Sequence, residues 1–151
     1  NKKTIDSKIN KESIRYSFLD DLEVPNDNVH DVNIFARKVR KGQEGFRRKL
    51  MKLYKNKCAI SNCNIPEVLD AAHIFSLSES GINHSKNGIL LRTDIHNLFD
   101  KHLIKINPNS YKIEISNSLK KSEYWQYNGN KINQTIAGKY PDKYYLDKHY
   151  K

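Results

Sequence analysis

Apolar residues recur at roughly helical spacing between Val32 and Tyr54, and this part of the chain predicts two helical pieces. Gly42 and Gly45 interrupt the pattern, so the second and stronger piece is expected from about Gln43 to Tyr54. The apolar positions are Ile34, Phe35, Val39, Phe46, Leu50, Leu53 and Tyr54. Each piece therefore has one apolar face that can pack on the middle of the chain.

The middle of the chain changes to short apolar runs. Residues 68–74 follow Pro66 and predict a buried strand, and residues 88–92 predict a second strand. The segment between them, 76–86, is rich in Ser, Asn and Gly and is expected to be a loop. Thr93 is expected to N-cap a short helix that runs to Asp100. The order is therefore strand, loop, strand and helix.

The remaining segments complete an α+β prediction. Residues 103–106 and 111–115 flank Asn-Pro-Asn-Ser, which is typical of a hairpin. The first thirty-one residues are polar and are interpreted as an arm or linker, so the domain is expected to span 32–151. The aromatic residues of the C-terminal tail are expected to pack on a small core rather than to stack on bases; they are Tyr124, Trp125, Tyr127, Tyr140, Tyr144 and Tyr145.

The composition and net charge of the chain indicate which class of molecule it binds. The chain has 151 residues, enough for one domain, and 27 Lys and Arg residues against 17 Asp and Glu residues give a formal net charge of +10. This excess favours a polyanionic partner, nucleic acid before anionic membrane. No apolar run approaches the roughly 18 residues of a membrane span, and no signal-like segment is evident. A cytoplasmic protein is expected.

Two cysteines, Cys58 and Cys63, are too few for a disulfide scaffold. Two reduced cysteines in a cytosolic domain are the favoured interpretation. A disulfide, or a zinc site completed by nearby histidines, remains the alternative.

Several side chains in the strand–loop–strand–helix segment suit phosphodiester hydrolysis. That reaction needs a base for the attacking water and a cation that stabilises charge on the phosphorane. His73 follows two alanines that leave space for a phosphate, and an imidazole titrates near neutrality. His96 and Asp100 are four residues apart, so they lie on one helix face and can share a metal ion.

Five blocks of residues follow one another in the chain: Arg40-Lys41-Gly42-Gln43-Glu44-Gly45-Phe46-Arg47, Tyr54 and Cys58, Ala71-Ala72-His73-Ile74, Asn87-Gly88-Ile89-Leu90-Leu91, and Ile95-His96-Asn97-Leu98-Phe99-Asp100. This series resembles the HNH endonucleases, in particular a restriction-type branch of that family. The resemblance covers roughly Arg37 to Ile115, with a looser match near Leu146 and His149.

This resemblance implies a ββα-metal (His-Me finger) core at about 67–103 and a metal-dependent endonuclease that hydrolyses DNA. It implies catalytic roles for His73, Asn87 and His96, with Asn87 holding the loop and positioning the base. It further implies the nuclease domain of a restriction or anti-phage defence enzyme, whose target specificity would belong to other domains of the same chain. A homodimer is an open alternative.

The sequence departs from the family pattern at Ala72, where many members have a metal-binding Asp or His. The preferred ligands are therefore His96 and Asp100, completed by water and phosphate oxygens around Mg²⁺ or Mn²⁺, with Zn²⁺ as an alternative. Asp70 is the reserve ligand, because strand alternation puts it on the same face as Ala72.

Charge placement predicts the DNA contacts. Arg40, Arg47 and Arg48 lie in the basic helical segment, and Arg92 lies close to the short helix. A catalytically silent nucleic-acid-binding module with the same fold is the alternative function, and Ala72 is the feature that favours it. A zinc-stabilised scaffold built on the cysteines is a third possibility.

Overall fold

The computed structural model describes residues 29–76 and 84–151. The predicted N-terminal arm, 1–31, lies almost wholly outside these residues, as does most of the predicted loop at 76–86. Within the described ranges, no helix combines the length and the apolar character that crossing a membrane requires.

The first element is one long helix, α1, which spans Val29–Leu53. The prediction of two pieces separated by glycines is therefore wrong. Glycine costs a helix interior about 1 kcal/mol relative to alanine, but packing of an apolar face supplies most helix stability in proteins. Phe46 and Leu50 provide that face, since both side chains are buried in the core. The Cβ position of Gly45 points into open space.

The predicted strand–strand–helix unit is confirmed. Strand β1 (Leu69–His73) pairs antiparallel with β2 (Gly88–Arg92), with Leu69 opposite Arg92 and His73 opposite Gly88. Helix α2 (Thr93–Asp100) begins directly after β2. The chain therefore folds the helix back onto the β hairpin, as in a ββα core.

The start of α2 differs in detail from the expectation. The N-cap position is Arg92 rather than Thr93, which is the first helical residue. The Thr93 hydroxyl donates instead to the carbonyl of Val68, 3.2 Å away. This bond ties the helix to the segment that leads into β1.

A second hairpin and a terminal helix complete the fold. Strands β3 (Ile104–Ile106) and β4 (Ile113–Ile115) pair antiparallel, which confirms the predicted hairpin. Helix α3 (Lys143–Tyr150) is N-capped by Asp142, whose side chain accepts a hydrogen bond from the Tyr144 amide. Helix α3 packs on β3, and its His149 contacts Phe99 of α2, so the C-terminus returns to the ββα unit.

Most tail aromatics pack on the core, as expected. The half-buried rings in contact with it are Tyr124, Trp125, Tyr127, Tyr140 and Tyr145. Tyr144 is the exception, because 56% of its surface is exposed. The sequence prediction is therefore wrong for Tyr144.

Gly88 allows α1 to approach the first hairpin closely. A Cβ atom at Gly88 would lie 2.7 Å from both Leu50 Cδ1 and Phe46 Cζ. The backbone of Gly88 is extended, with φ −132° and ψ 152°, so conformational freedom is not the reason for glycine here. The requirement is steric: glycine makes room for two large side chains of α1.

Candidate active site

His96 lies between two carboxylates. Its Nδ1 atom is 3.0 Å from Asp70 Oδ2, and its Nε2 atom is 3.2 Å from Asp100 Oδ2. Asp100 comes one helical turn after His96 on α2, whereas Asp70 reaches it from β1. The structure therefore brings the predicted ligand pair together with the reserve residue.

The surroundings of His96 favour a positive charge on the ring. The residue is only 2% exposed, and burial lowers its pKa; hydrogen bonds to Asp100 and Asp70 outweigh burial and raise that pKa to about 9. Half of the Asp100 side chain is exposed. The two carboxylates thus attract positive charge to this buried position, which opens to solvent on the Asp100 side, and a metal ion bound at Nε2 would replace the proton there.

Asp70 and Asp100 lie on opposite sides of the His96 ring. It lies against Nδ1, whereas Asp100 lies against Nε2. A carboxylate that accepts a hydrogen bond from one ring nitrogen orients the ring and raises the basicity of the other nitrogen. Ala72, on the same face of β1, is fully buried. The contact at Nδ1 therefore places Asp70 where it can orient the His96 ring.

His73 lies in the same hairpin on the opposite side of β1. Its ring stacks on Phe46 of α1, with the ring centroids 4.1 Å apart and the planes 6° apart, and the residue is 6% exposed. Along an extended strand, three residues separate His73 from Asp70 by about 10 Å. Strand alternation thus places His73 and Asp70 on opposite faces of β1.

Asn87 fastens the end of β1. Its Oδ1 atom accepts from the Phe75 amide and its Nδ2 atom donates to the Phe75 carbonyl, both at 2.8 Å. The Ile74 amide also donates to the Asn87 carbonyl, 3.0 Å away. Because both ends of its amide bond to the backbone of Phe75, Asn87 holds the segment that follows His73.

The predicted DNA-binding arginines of α1 differ from one another. Arg47 donates to the carbonyls of Leu69 and Pro66, which fastens α1 to the start of β1. Arg40 Nε makes a long bond, 3.3 Å, to the carbonyl of Ala36 one turn earlier. Arg48 is exposed. The geometry therefore favours a structural role for Arg47 and leaves Arg40 and Arg48 on the outer surface.

Arg92 is held beside the start of α2. Its guanidinium donates to both carboxylate oxygens of Asp94, at 2.7 and 2.9 Å, and Tyr124 donates to the same carboxylate at 2.8 Å. The Arg92 hydrogen bonds are the main reason that the pKa of Asp94 is lowered to about 2. Any contact of Arg92 with DNA would therefore use the outer side of a guanidinium that Asp94 already orients.

The sequence analysis assigned no role to His149. In the structure, His149 packs on Phe99 near the end of α2. Its Nε2 atom is 2.9 Å from the Phe99 carbonyl, and its ring stacks on Phe99 at 3.8 Å and on His102 at 4.5 Å. Burial is the main reason that its pKa is lowered to about 4. The one feature of the sequence that pointed to His149 was the looser match to the family pattern near Leu146 and His149.

The donors at this site fit a weakly held divalent cation. Among the described residues, no group of three or more His, Cys, Asp and Glu side chains could hold a metal ion. His96 Nε2 and Asp100 provide one nitrogen and one carboxylate on an open side, with Asp70 behind the imidazole. Two protein ligands with a supporting carboxylate suit an ion that keeps several water molecules.

The cysteines lie away from these side chains. Cys58 is buried and Cys63 is half-buried, and both are thiols without a disulfide. The Cys58 amide donates to the Cys63 carbonyl across a tight turn, 2.8 Å away. They shape the turn between α1 and β1.

Comparison with known families supports the resemblance drawn from the sequence. Residues 58–107 match the family model HNH_2, described as HNH endonuclease. The matched range contains β1, β2 and α2 with all of the side chains from Asp70 to Asp100. HNH endonucleases, the proteins that this model describes, act on nucleic acid and generally use a divalent metal. No curated protein gave a significant match to the chain.

Proposed function

We propose that residues 32–151 form a metal-dependent HNH endonuclease domain that hydrolyses DNA phosphodiester bonds. The observation that carries the proposal is the Asp70–His96–Asp100 cluster, which lies on the ββα unit within the segment that matches the HNH endonuclease model. A buried imidazole between two carboxylates is costly to maintain without a function that uses it.

His96 Nε2 and Asp100 would hold a divalent cation, Mg²⁺ or Mn²⁺, with Zn²⁺ as the alternative because one ligand is an imidazole. When bound, such a cation stabilises negative charge on the phosphorane and on the leaving oxygen. Asp70 keeps the Nδ1 proton on the far side of the ring, so that Nε2 remains the nitrogen available to the site.

His73 would take the proton of the attacking water. Two features support this role: Phe46 fixes the orientation of the ring, and Asn87 fixes the backbone just beyond it. A base that is held in one orientation loses less entropy when the substrate arrives. Asn87 acts through the backbone of Phe75 and is a positioning residue in this proposal.

The outer surface of α1 would bind the phosphate backbone through Arg40 and Arg48, with Arg92 nearer to α2. Such contacts neutralise phosphates without reading bases. Base or modification specificity would then belong to other domains of a restriction or anti-phage enzyme. A methylated and an unmethylated plasmid should accordingly be cut by this chain at the same rate.

The experiment is plasmid cleavage with Mg²⁺, Mn²⁺, Zn²⁺ or EDTA, for the wild type, His73→Ala and His84→Ala. Loss of a general base costs about 10²- to 10⁴-fold in rate, so His73→Ala should cut far more slowly. His84 is exposed at the edge of the loop and serves as the matched control. Wild-type cleavage by His73→Ala, with folding verified by thermal melting, would remove His73 from the mechanism.

The alternative is a nucleic-acid-binding module without cleavage. Ala72 favours it, because this fully buried side chain offers no ligand directly before His73. DNA binding by the wild type without cleavage in any of the three metals would establish this alternative.

A further inference from the structure

Two adjacent residues of helix α3 contact residues that lie next to the candidate active site in the chain. His149 lies against the Phe99 carbonyl and ring, next to the metal-ligand candidate Asp100. The preceding residue, Lys148, extends over the ring of Phe75, with its Nζ atom 6.0 Å from the ring centroid. Two adjacent residues of α3 thus contact the segment after His73 and the end of α2.

The position of Phe75 is well defined. It comes two residues after His73, and the side chain of Asn87 holds both its amide and its carbonyl at 2.8 Å. Lys148 therefore lies beside the end of β1, over a residue whose backbone is held by Asn87. Phe75 lies two residues after the proposed base, and the next residue of α3, His149, contacts Phe99, which directly precedes Asp100.

The charge of Lys148 is available to a ligand. The side chain is exposed, and in the described part of the chain no carboxylate forms an ion pair with it. The neighbouring acid, Asp147, pairs instead with Lys151 at 3.0 Å. Lys148 also lies 5.4 Å from the ring centroid of Tyr144. Distances of 5.4 and 6.0 Å are near the outer limit of cation–π contact, so these rings hold the ammonium only weakly.

We propose that Lys148 binds the scissile phosphate of the substrate strand, between His73 and the His96–Asp100 pair. This inference rests on the proposed function. An exposed ammonium on a long stem suits a non-bridging phosphate oxygen as a point charge. Its contact would become stronger as charge develops on the phosphorane, so it would accelerate the reaction as well as bind the strand.

Lys148→Met tests the charge while it retains most of the stem that packs on Phe75. Lys148→Arg retains the charge. Lys143→Met is the matched control, because Lys143 is an exposed lysine at the start of the same helix and its loss changes the net charge equally. Two quantities are measured for each variant: the single-turnover rate of plasmid cleavage in Mg²⁺, and the salt dependence of DNA binding in EDTA.

Lys148→Met should cut about 10- to 100-fold more slowly, the loss expected for one hydrogen bond to a charged group. It should also lower the slope of log K against log salt by about 0.9, the value for one phosphate contact. Lys148→Arg should keep most of the cleavage rate and most of the salt slope. Lys143→Met should match the wild type in both measurements.

Equal behaviour of Lys148→Met and Lys143→Met in both measurements would overturn the inference, as would a lower melting temperature with an unchanged rate and slope. Failure of the proposed function gives a different result, because the wild type would then cut no DNA at all. In that case the salt dependence of DNA binding still tests the phosphate contact. A lower slope for Lys148→Met alone supports the contact, and equal slopes for Lys148→Met and Lys143→Met overturn it.

Discussion

Gly88→Ala should destabilise the domain and slow the proposed nuclease reaction through one steric contact. The added Cβ would lie 2.7 Å from Leu50 Cδ1 and from Phe46 Cζ, whereas ordinary contacts are 3.4–4 Å. The neighbours must therefore move by about 0.7 Å or more. Phe46 stacks on His73 at 4.1 Å, so a displaced Phe46 also displaces the proposed base.

The sign of the effect follows from two opposing contributions. Overpacking a well-packed core costs about 1–3 kcal/mol. Alanine also restricts the unfolded chain, which stabilises by about 0.4–1 kcal/mol where the native backbone suits it, and the extended backbone at Gly88 does. The net loss should be about 1–2 kcal/mol, or about 4–8 °C in melting temperature for a domain of this size.

Thermal unfolding and plasmid cleavage measure the two effects. Gly45→Ala is the matched control, because its Cβ meets nothing within 4 Å and the change should stabilise α1 by up to about 1 kcal/mol. Adding Phe46→Leu to Gly88→Ala should recover part of the loss, which a double-mutant cycle would report as coupling. If Gly88→Ala melts at or above the wild-type temperature, the steric reasoning is wrong.

Three further predictions follow from the site. Asp100→Ala should raise the Mg²⁺ concentration needed for half-maximal cleavage at least tenfold, and superimposable metal titrations would exclude Asp100 as a ligand. Arg47→Ala should lower the melting temperature and leave the salt slope of DNA binding unchanged, because its guanidinium holds the carbonyls of Leu69 and Pro66, whereas Arg48→Ala should lower that slope by about one. His149 has its pKa lowered to about 4 when folded, so the unfolded chain binds its proton first and stability should fall by up to about 3 kcal/mol as the pH drops from 6.5 through 4. His149→Phe should reduce this loss in melts between pH 7 and pH 4, and an acid limb equal to that of the wild type would contradict the assignment.

The ββα unit could be predicted because its signals are local. Each strand is a short apolar run, and the separation of four residues between His96 and Asp100 places both on one face of α2. Strand alternation also assigned Asp70 to its correct face of β1. The contact of Asp70 with His96 Nδ1 could not be predicted from the strand pattern alone. It depends on where α2 starts after β2 and on how the helix folds back.

Other features depend on tertiary packing and could not be read from local pattern. The glycines of α1 favour an interruption, yet burial of Phe46 and Leu50 on the hairpin keeps the helix continuous. Arg47 carries the same charge as Arg48, and only the position of β1 shows that its guanidinium faces two carbonyls. A run of basic residues does not by itself show which side chains bond to the protein's own backbone and which are free to bind a ligand.

The shared face of Asp70 and Ala72 has an evolutionary consequence. An acidic residue at position 72 would have to enter a fully buried position, and the carboxylate of Asp70 already serves His96 from two residues away. We therefore expect that one acid on this face of the strand is enough to orient the imidazole. We expect homologues to carry an acid at one of these two positions and a small residue at the other. A search pattern that requires an acid or histidine directly before the base histidine would overlook the group to which this arrangement belongs.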